Sequence, residues 1–210
     1  MGLGIVVATA LLSSVVYVVG GAYRQKDQNE IGDRGDFLLG SFMRNWLYWF
    51  LGPLERLAVR LRMSPSMFNV LGVALGVSAG LCFATGNLNP AGWLILLSGA
   101  VDVLDGRIAR AQGLASPRGA FLDSTLDRFA EVGAFVGLAV FYRDSILLTS
   151  MVALGMGGSL LVSYTRARGE SLGVACKAGI MQRAERILLV GLSGILDPIL
   201  GYESGTLLAA

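Results

Sequence analysis

Six apolar runs, at about 3–22, 67–86, 91–109, 119–142, 146–165 and 186–201, each approach the ~20 residues that cross a lipid hydrocarbon core. Hydrophobic types make up 54% of the 210 residues, charged types only 15%, and the mean hydropathy is +0.63, which is too apolar for a soluble domain of this size. The expected fold class is an all-α integral membrane protein, a bundle of about six transmembrane helices. The first run stands where a secretory signal would. It lacks a basic leader and is followed by Arg24 and Lys26, so an uncleaved anchor over 1–22 is expected.

Between 23 and 65 the composition changes. Charged RQKDQNEIGDRGD gives way to a stretch over 42–62 in which aromatics alternate with arginine at helical spacing, the pattern of an interfacial amphipathic helix. The expected organisation is an anchor, a cytoplasmic linker with its surface helix, and a membrane domain over 66–210. The final GYESGTLLAA turns apolar just where the chain stops, which leaves open a truncation there. Placing the arginine-rich segments 56–62, 107–118, 166–168 and 183–186 in the cytoplasm satisfies the positive-inside rule for five successive spans. Glycines recur within the spans and favour close helix packing.

Composition also limits the chemistry. There is no histidine, so imidazole bases, Ser-His-Asp hydrolysis and histidine-held metals are excluded. Two cysteines, Cys82 and Cys176, make neither a disulfide framework nor a zinc pattern. A net charge of +2 gives no support to nucleic acid as a partner. Acid, base and metal chemistry must therefore rest on carboxylates.

Those carboxylates are concentrated in VDVLDGRIARAQGLASPRGAFLDSTLDRFAE, from Val101 to Glu131. Asp102 and Asp105 are spaced i,i+3 and Asp123 and Asp127 i,i+4, so each pair projects from one helical face, and the polar turn Gly113–Pro117 lets the two faces meet. An acid within a membrane helix costs at least a few kcal/mol unless something compensates it. One or two Mg²⁺ or Mn²⁺ ions with hard oxygen ligands would do so, and would also bind a diphosphate. Gly106, Ala109 and Gly119 share the acidic faces and leave room for a nucleotide diphosphate near the backbone. Arg110 adds a cation for phosphate oxygens.

Together these residues spell D-x2-D-G-x2-A-R-x8-G-x3-D-x3-D, which resembles the signature of the CDP-alcohol phosphotransferase family; a weaker likeness runs from about Ser64 to Leu200. The resemblance implies a commonly dimeric six-helix bundle with a cytoplasm-facing cavity for two divalent ions. It implies Asp102, Asp105 and Asp123 as metal ligands, Asp127 as ligand and general base, and Gly106, Ala109, Arg110 and Gly119 around the CDP portion of a CDP-linked lipid. The segment SPSMFNVLG at 64–72 departs from the Pro-Asn pattern of many relatives, and no nucleotide role is carried to it.

Two further stretches, SYTRARGESLG from Ser163 and GIMQRAERI from Gly179, resemble those of the phosphatidylinositol-phosphate synthase branch and its archaeal relatives. They imply a small phosphorylated alcohol as acceptor, inositol 1-phosphate first and glycerol 3-phosphate as the alternative. Its phosphate would lie near Ser163, Arg166, Arg168, Arg183 and Arg186. The plainer reading of these arginines is a basic cytoplasmic loop, with Glu170 and Glu185 as partners. A transporter of divalent cations or small anions is the competing class. It would spread acids through the bilayer depth, whereas here they gather near one surface.

Overall fold

The computed structural model describes residues 12–19, 40–174 and 183–200, and every regular element among them is helical. In chain order these are α1 (12–19), α2 (Gly40–Arg60), α3 (Pro65–Ala84), α4 (Leu88–Ala111), α5 (Pro117–Phe141), α6 (Ile146–Ser171) and α7 (Arg183–Leu200). The linker between the anchor and α2, the segment 175–182 and the C-terminal GYESGTLLAA lie outside the described residues.

Local chemistry sets the boundaries. Ser116 caps α5 by accepting the Gly119 N–H at 3.1 Å, and Pro117 occupies the first turn, where its missing N–H costs nothing. Pro65 opens α3 in the same way, and Ser145 caps α6 by accepting from Leu148. At the end of α4, Gly113 takes φ +68°, its N–H donates to Arg110 O, and Leu114 N–H donates to Ala109 O at 2.8 Å. This paired C-terminal closure requires a left-handed residue. It ends α4 and leaves five residues before α5 begins.

α3 packs between α4 and α5, α7 lies against α4, α6 against α5, and α2 crosses α4. Glycine permits the tightest of these crossings. A Cβ at Gly80 would strike the Gly133 carbonyl, one at Gly137 would strike Gly80 O, and one at Gly76 would lie 2.6 Å from the Ala130 Cβ. Gly92, Gly191 and Gly194 play the same part between α4 and α7. Phe83, Leu88, Leu138, Tyr142 and Val152 fill one end of the bundle, while Leu51 and Ala58 of α2 join Phe68, Leu104 and Ile108 at the other.

The surface helix anticipated at 42–62 forms as α2. It is held by more than apolar contact: Glu55 accepts from Arg107 at 2.6 Å, and the same guanidinium lies 4.6 Å from the Tyr48 ring centre. α1 leans on α2 through Tyr17 and Trp49, with the Trp46 indole N–H donating to Ser13. By length and apolar content Pro65–Ala84 and Ile146–Ser171 are able to cross a membrane. The outer face of α6, with Ile146, Leu147, Leu154 and Leu161, is exposed and apolar. In α4 and α5 the acids and arginines of the site dilute the apolar content, which is why they read less plainly as spans.

Candidate metal and phosphate site

Alternating helix direction brings the start of α3, the end of α4 and the starts of α5 and α7 to one end of the bundle. There Asp102, Asp105, Asp123 and Asp127 line one cavity of about 230 Å³, together with Asn69, Gly72, Ser98 and Ala130. Asp102, Asp123 and Asp127 each present a carboxylate oxygen within 4.8 Å of the other two. Asp105 is 4% exposed and contributes to the same wall. The two acidic faces anticipated from spacing therefore converge.

The helices themselves do not stabilise this charge. Asp102 and Asp105 stand more than one turn before the end of α4, and Asp123 lies beyond the first turn of α5, so neither helix end's dipole reaches them appreciably. The compensation is Arg183: its Nη1 is 2.7 Å from Asp102 Oδ2 and 2.7 Å from Asp127 Oδ2. Arg128 stands further off, 3.8 Å from Asp127. Four carboxylates against these two cations leave acid in excess, and a cluster of hard oxygen donors suits a divalent ion. Asn69 supports the fit, because it lines the same cavity and its buried Oδ1 has no hydrogen-bond partner.

The remaining expected residues fall into distinct groups. Gly106 and Ala109 lie one and two turns beyond the acids on α4, toward the helix end, and Arg110 folds back so that its Nη1 is 3.5 Å from a Cβ built on Gly106. Gly119 sits in the first turn of α5, under the Ser116 cap. None of these four is among the residues that line the cavity. Among the basic residues, Arg183 and Arg186 line a second, larger cavity that shares Ser98 and Ala130 with the acidic one. Arg186 Nη2 is 3.3 Å from Glu131. Ser163 donates to Ser159 O, Arg166 pairs with Glu170 at 2.9 Å, and Arg168 is exposed; α6 thus carries these three outside that chamber.

Sequence reasoning had assigned no role to Asn69 or to Glu131. The residues around Asn69 depart from the usual Pro-Asn spacing, and Glu131 stands at the end of the acidic stretch. Its i+4 spacing from Asp127 was the signal available.

The fold and site define a helical enzyme of the membrane, with an acidic metal-binding chamber beside a basic one. A family model for CDP-alcohol phosphatidyltransferase matches residues 62–202. The chain is similar to the phosphatidylinositol phosphate synthase of Cutibacterium acnes, with 35% identity over 156 residues, 72% of this chain and 75% of that one. It is also similar to the archaetidylinositol phosphate synthase of Methanothermobacter thermautotrophicus, with 38% identity over 137 residues, 65% of this chain and 69% of the relative. The Mycobacterium tuberculosis phosphatidylinositol phosphate synthase (PgsA1) with CDP-DAG bound superposes with a TM-score of 0.66 at 26% identity, covering 75% of this chain and 81% of that one. The same enzyme is known in complex with manganese and citrate. The chain belongs to the CDP-alcohol phosphatidyltransferase family.

Proposed function

We propose that the protein transfers a phosphatidyl group, or its archaeal ether counterpart, from a CDP-activated lipid to a phosphorylated polyol, inositol 1-phosphate before others, with release of CMP. The observation that carries this reading is the convergence of Asp102, Asp123 and Asp127 beside a chamber lined by two arginines. The names of the relatives, inositol phosphate synthases of diacyl and archaeal lipids, support the acceptor.

In this reading Asp102, Asp105, Asp123 and Asp127 hold two Mg²⁺ or Mn²⁺ ions. Bound there, the metal would neutralise charge on the diphosphate and on departing CMP. Gly106, Ala109, Arg110 and Gly119 receive the CDP portion. Arg183 and Arg186 hold the acceptor phosphate, with Ser163, Arg166 and Arg168 reaching it from α6. The acceptor hydroxyl, passing the small side chain of Ala130 between the two chambers, attacks the lipid-side phosphorus as the bond to the CMP oxygen breaks. Asp127 takes the hydroxyl proton. The same reading takes six membrane spans, an active site facing the cytoplasm across the cytoplasmic membrane, and a homodimer. It also takes the division into anchor, surface helix and catalytic domain at 1–22, 23–65 and 66–210.

Purified protein in detergent, given labelled CDP-diacylglycerol, Mg²⁺ or Mn²⁺, and inositol 1-phosphate, glycerol 3-phosphate, free inositol or serine in turn, tests this. Labelled product and CMP should form at least ~10-fold faster with inositol 1-phosphate, the scale at which matched polar contacts discriminate. Product from glycerol 3-phosphate alone overturns the acceptor, and no CMP with any acceptor overturns the enzyme.

A second expectation concerns the CDP portion. Gly106→Leu places a branched side chain where Arg110 now lies against bare backbone, so the KM for CDP-lipid should rise ~10-fold while kcat and membrane insertion change little. Equal KM values for variant and wild type would remove Gly106 from the site.

A further inference from the structure

Glu131 stands one turn beyond Asp127 on α5, and its side chain is only 7% exposed. One carboxylate oxygen is well occupied: Oε1 accepts from the Ser159 hydroxyl of α6 and pairs with Arg186 Nη2 of α7 at 3.3 Å. The other, Oε2, is buried and has no hydrogen-bond partner in the protein. Buried polar atoms are nearly always partnered, and leaving one unsatisfied costs ~1–3 kcal/mol, more for a charged group. A carboxylate of this kind, with two donors on one oxygen, none on the other, and a side chain that forms part of a cavity wall, calls for a donor from outside the chain.

The cavity in question is the one lined by Arg183 and Arg186, whose wall includes Glu131 itself. Its other lining is largely apolar, from Ile95, Phe135, Leu138 and Val190, so the polar groups offered to an occupant are few. Arg183 and Arg186 only donate, and suit a phosphate. A carboxylate only accepts, and suits a hydroxyl. A phosphate and a hydroxyl on one small molecule describe a polyol phosphate. The chamber shares Ser98 and Ala130 with the acidic cavity, so an occupant could extend a second hydroxyl to Asp127.

Building on the acceptor proposed above, we infer that Glu131 is a specificity-determining residue whose Oε2 accepts a hydrogen bond from a non-reacting hydroxyl of the polyol phosphate. Arg186, by neutralising Oε1, keeps this acid from repelling the acceptor's phosphate. Ser159 and Arg186 both engage Oε1, so Oε2 is the oxygen left for such a hydroxyl.

The test compares wild type with Glu131→Gln on inositol 1-phosphate and on monodeoxy analogues that each lack one hydroxyl, with KM and kcat measured for acceptor and CDP-lipid separately. In the variant, Ser159 and Arg186 both demand an acceptor, so they hold the amide oxygen and leave NH₂ where Oε2 was. Wild type should lose ~10–100-fold in kcat/KM on one analogue, the loss expected when a buried polar group is left without its partner. In Glu131→Gln the acceptor KM should rise ~10-fold, the CDP-lipid KM should hold, and the penalty on that analogue should shrink to within ~3-fold, because the group that sensed the hydroxyl is gone. A variant that loses kcat or folded yield equally on every acceptor, and keeps the analogue penalty, shows a purely structural role and overturns the inference. Wild type that uses inositol 1-phosphate without penalty on any analogue overturns it as well, with no variant needed. Wild type that does not use inositol 1-phosphate overturns instead the acceptor reading on which it rests. Should Glu131→Gln not fold, Glu131→Asp, which withdraws both oxygens by one methylene, is expected to give the same KM rise and the same shrunken penalty.

Discussion

Asp127→Asn should lower CMP release by ~10³-fold while leaving CDP-lipid affinity within ~10-fold of wild type, the signature of an interaction made mainly in the transition state. The substitution preserves shape and removes one charge and the capacity to take a proton. Asp102 would still engage Arg183 at 2.7 Å, so the arginine keeps one of its two anchors and the chamber keeps its form. Asp102, Asp105 and Asp123 would remain for metal and diphosphate. The measurement pairs steady-state CMP release with equilibrium binding of labelled CDP-lipid at fixed Mg²⁺ or Mn²⁺. Turnover within ~10-fold of wild type would take the base role from Asp127, since general-base catalysis is worth more than that. Loss of CDP-lipid binding in proportion to turnover would instead make it a binding ligand only.

Gly80→Leu should prevent the bundle from assembling. A Cβ at this position meets the Gly133 carbonyl, and the reciprocal position, Gly137, meets the backbone of Gly80. These are main-chain atoms that cannot rotate aside, so α3 and α5 would have to separate along their length. Overpacking alone costs ~1–3 kcal/mol where side chains can yield, and a backbone collision costs more, against a total stability of only ~5–15 kcal/mol. Separation would also open the acidic chamber, whose walls include Gly72 of α3 and Ala130 of α5. Gly157→Leu serves as the control, because nothing lies within 4 Å of its Cβ position. Thermal midpoint and monodisperse yield in detergent should fall sharply for Gly80→Leu and stay near wild type for Gly157→Leu. Equal stability of the two variants would contradict the close crossing.

Much of this arrangement was legible along the chain because it is local. The start of α5 is written as Ser116–Pro117 and the end of α4 as Gly113, and both boundaries lie within two residues of those read from hydropathy. The i,i+3 and i,i+4 spacing of the four aspartates fixes their common faces whatever the rest of the bundle does. Their convergence needs α3 as well, against which both α4 and α5 pack on either side of a five-residue connection.

The basic residues were harder to read, since a cation's partner is a matter of distance and not of spacing. Arg166, Arg168, Arg183 and Arg186 look alike in sequence, yet Arg166 is occupied by Glu170 one turn away while Arg183 reaches across 81 positions to Asp102. Membrane spans showed a similar divide: α3 and α6 read plainly as apolar, whereas α4 and α5 carry the site and are correspondingly diluted.

The sequence alone determined the helical class, the acidic signature and the chemistry it can support, because helix period, turn residues and the absence of histidine act within short stretches of chain. Only the tertiary structure decided that Arg183 bridges two aspartates, that Asn69 joins them, and that Glu131 links three helices while one of its oxygens stays buried without a partner. Those facts depend on how closely α3 approaches α5 and α7 approaches α4. That closeness is set by glycines packed backbone to backbone, a quantity that no single helix contains.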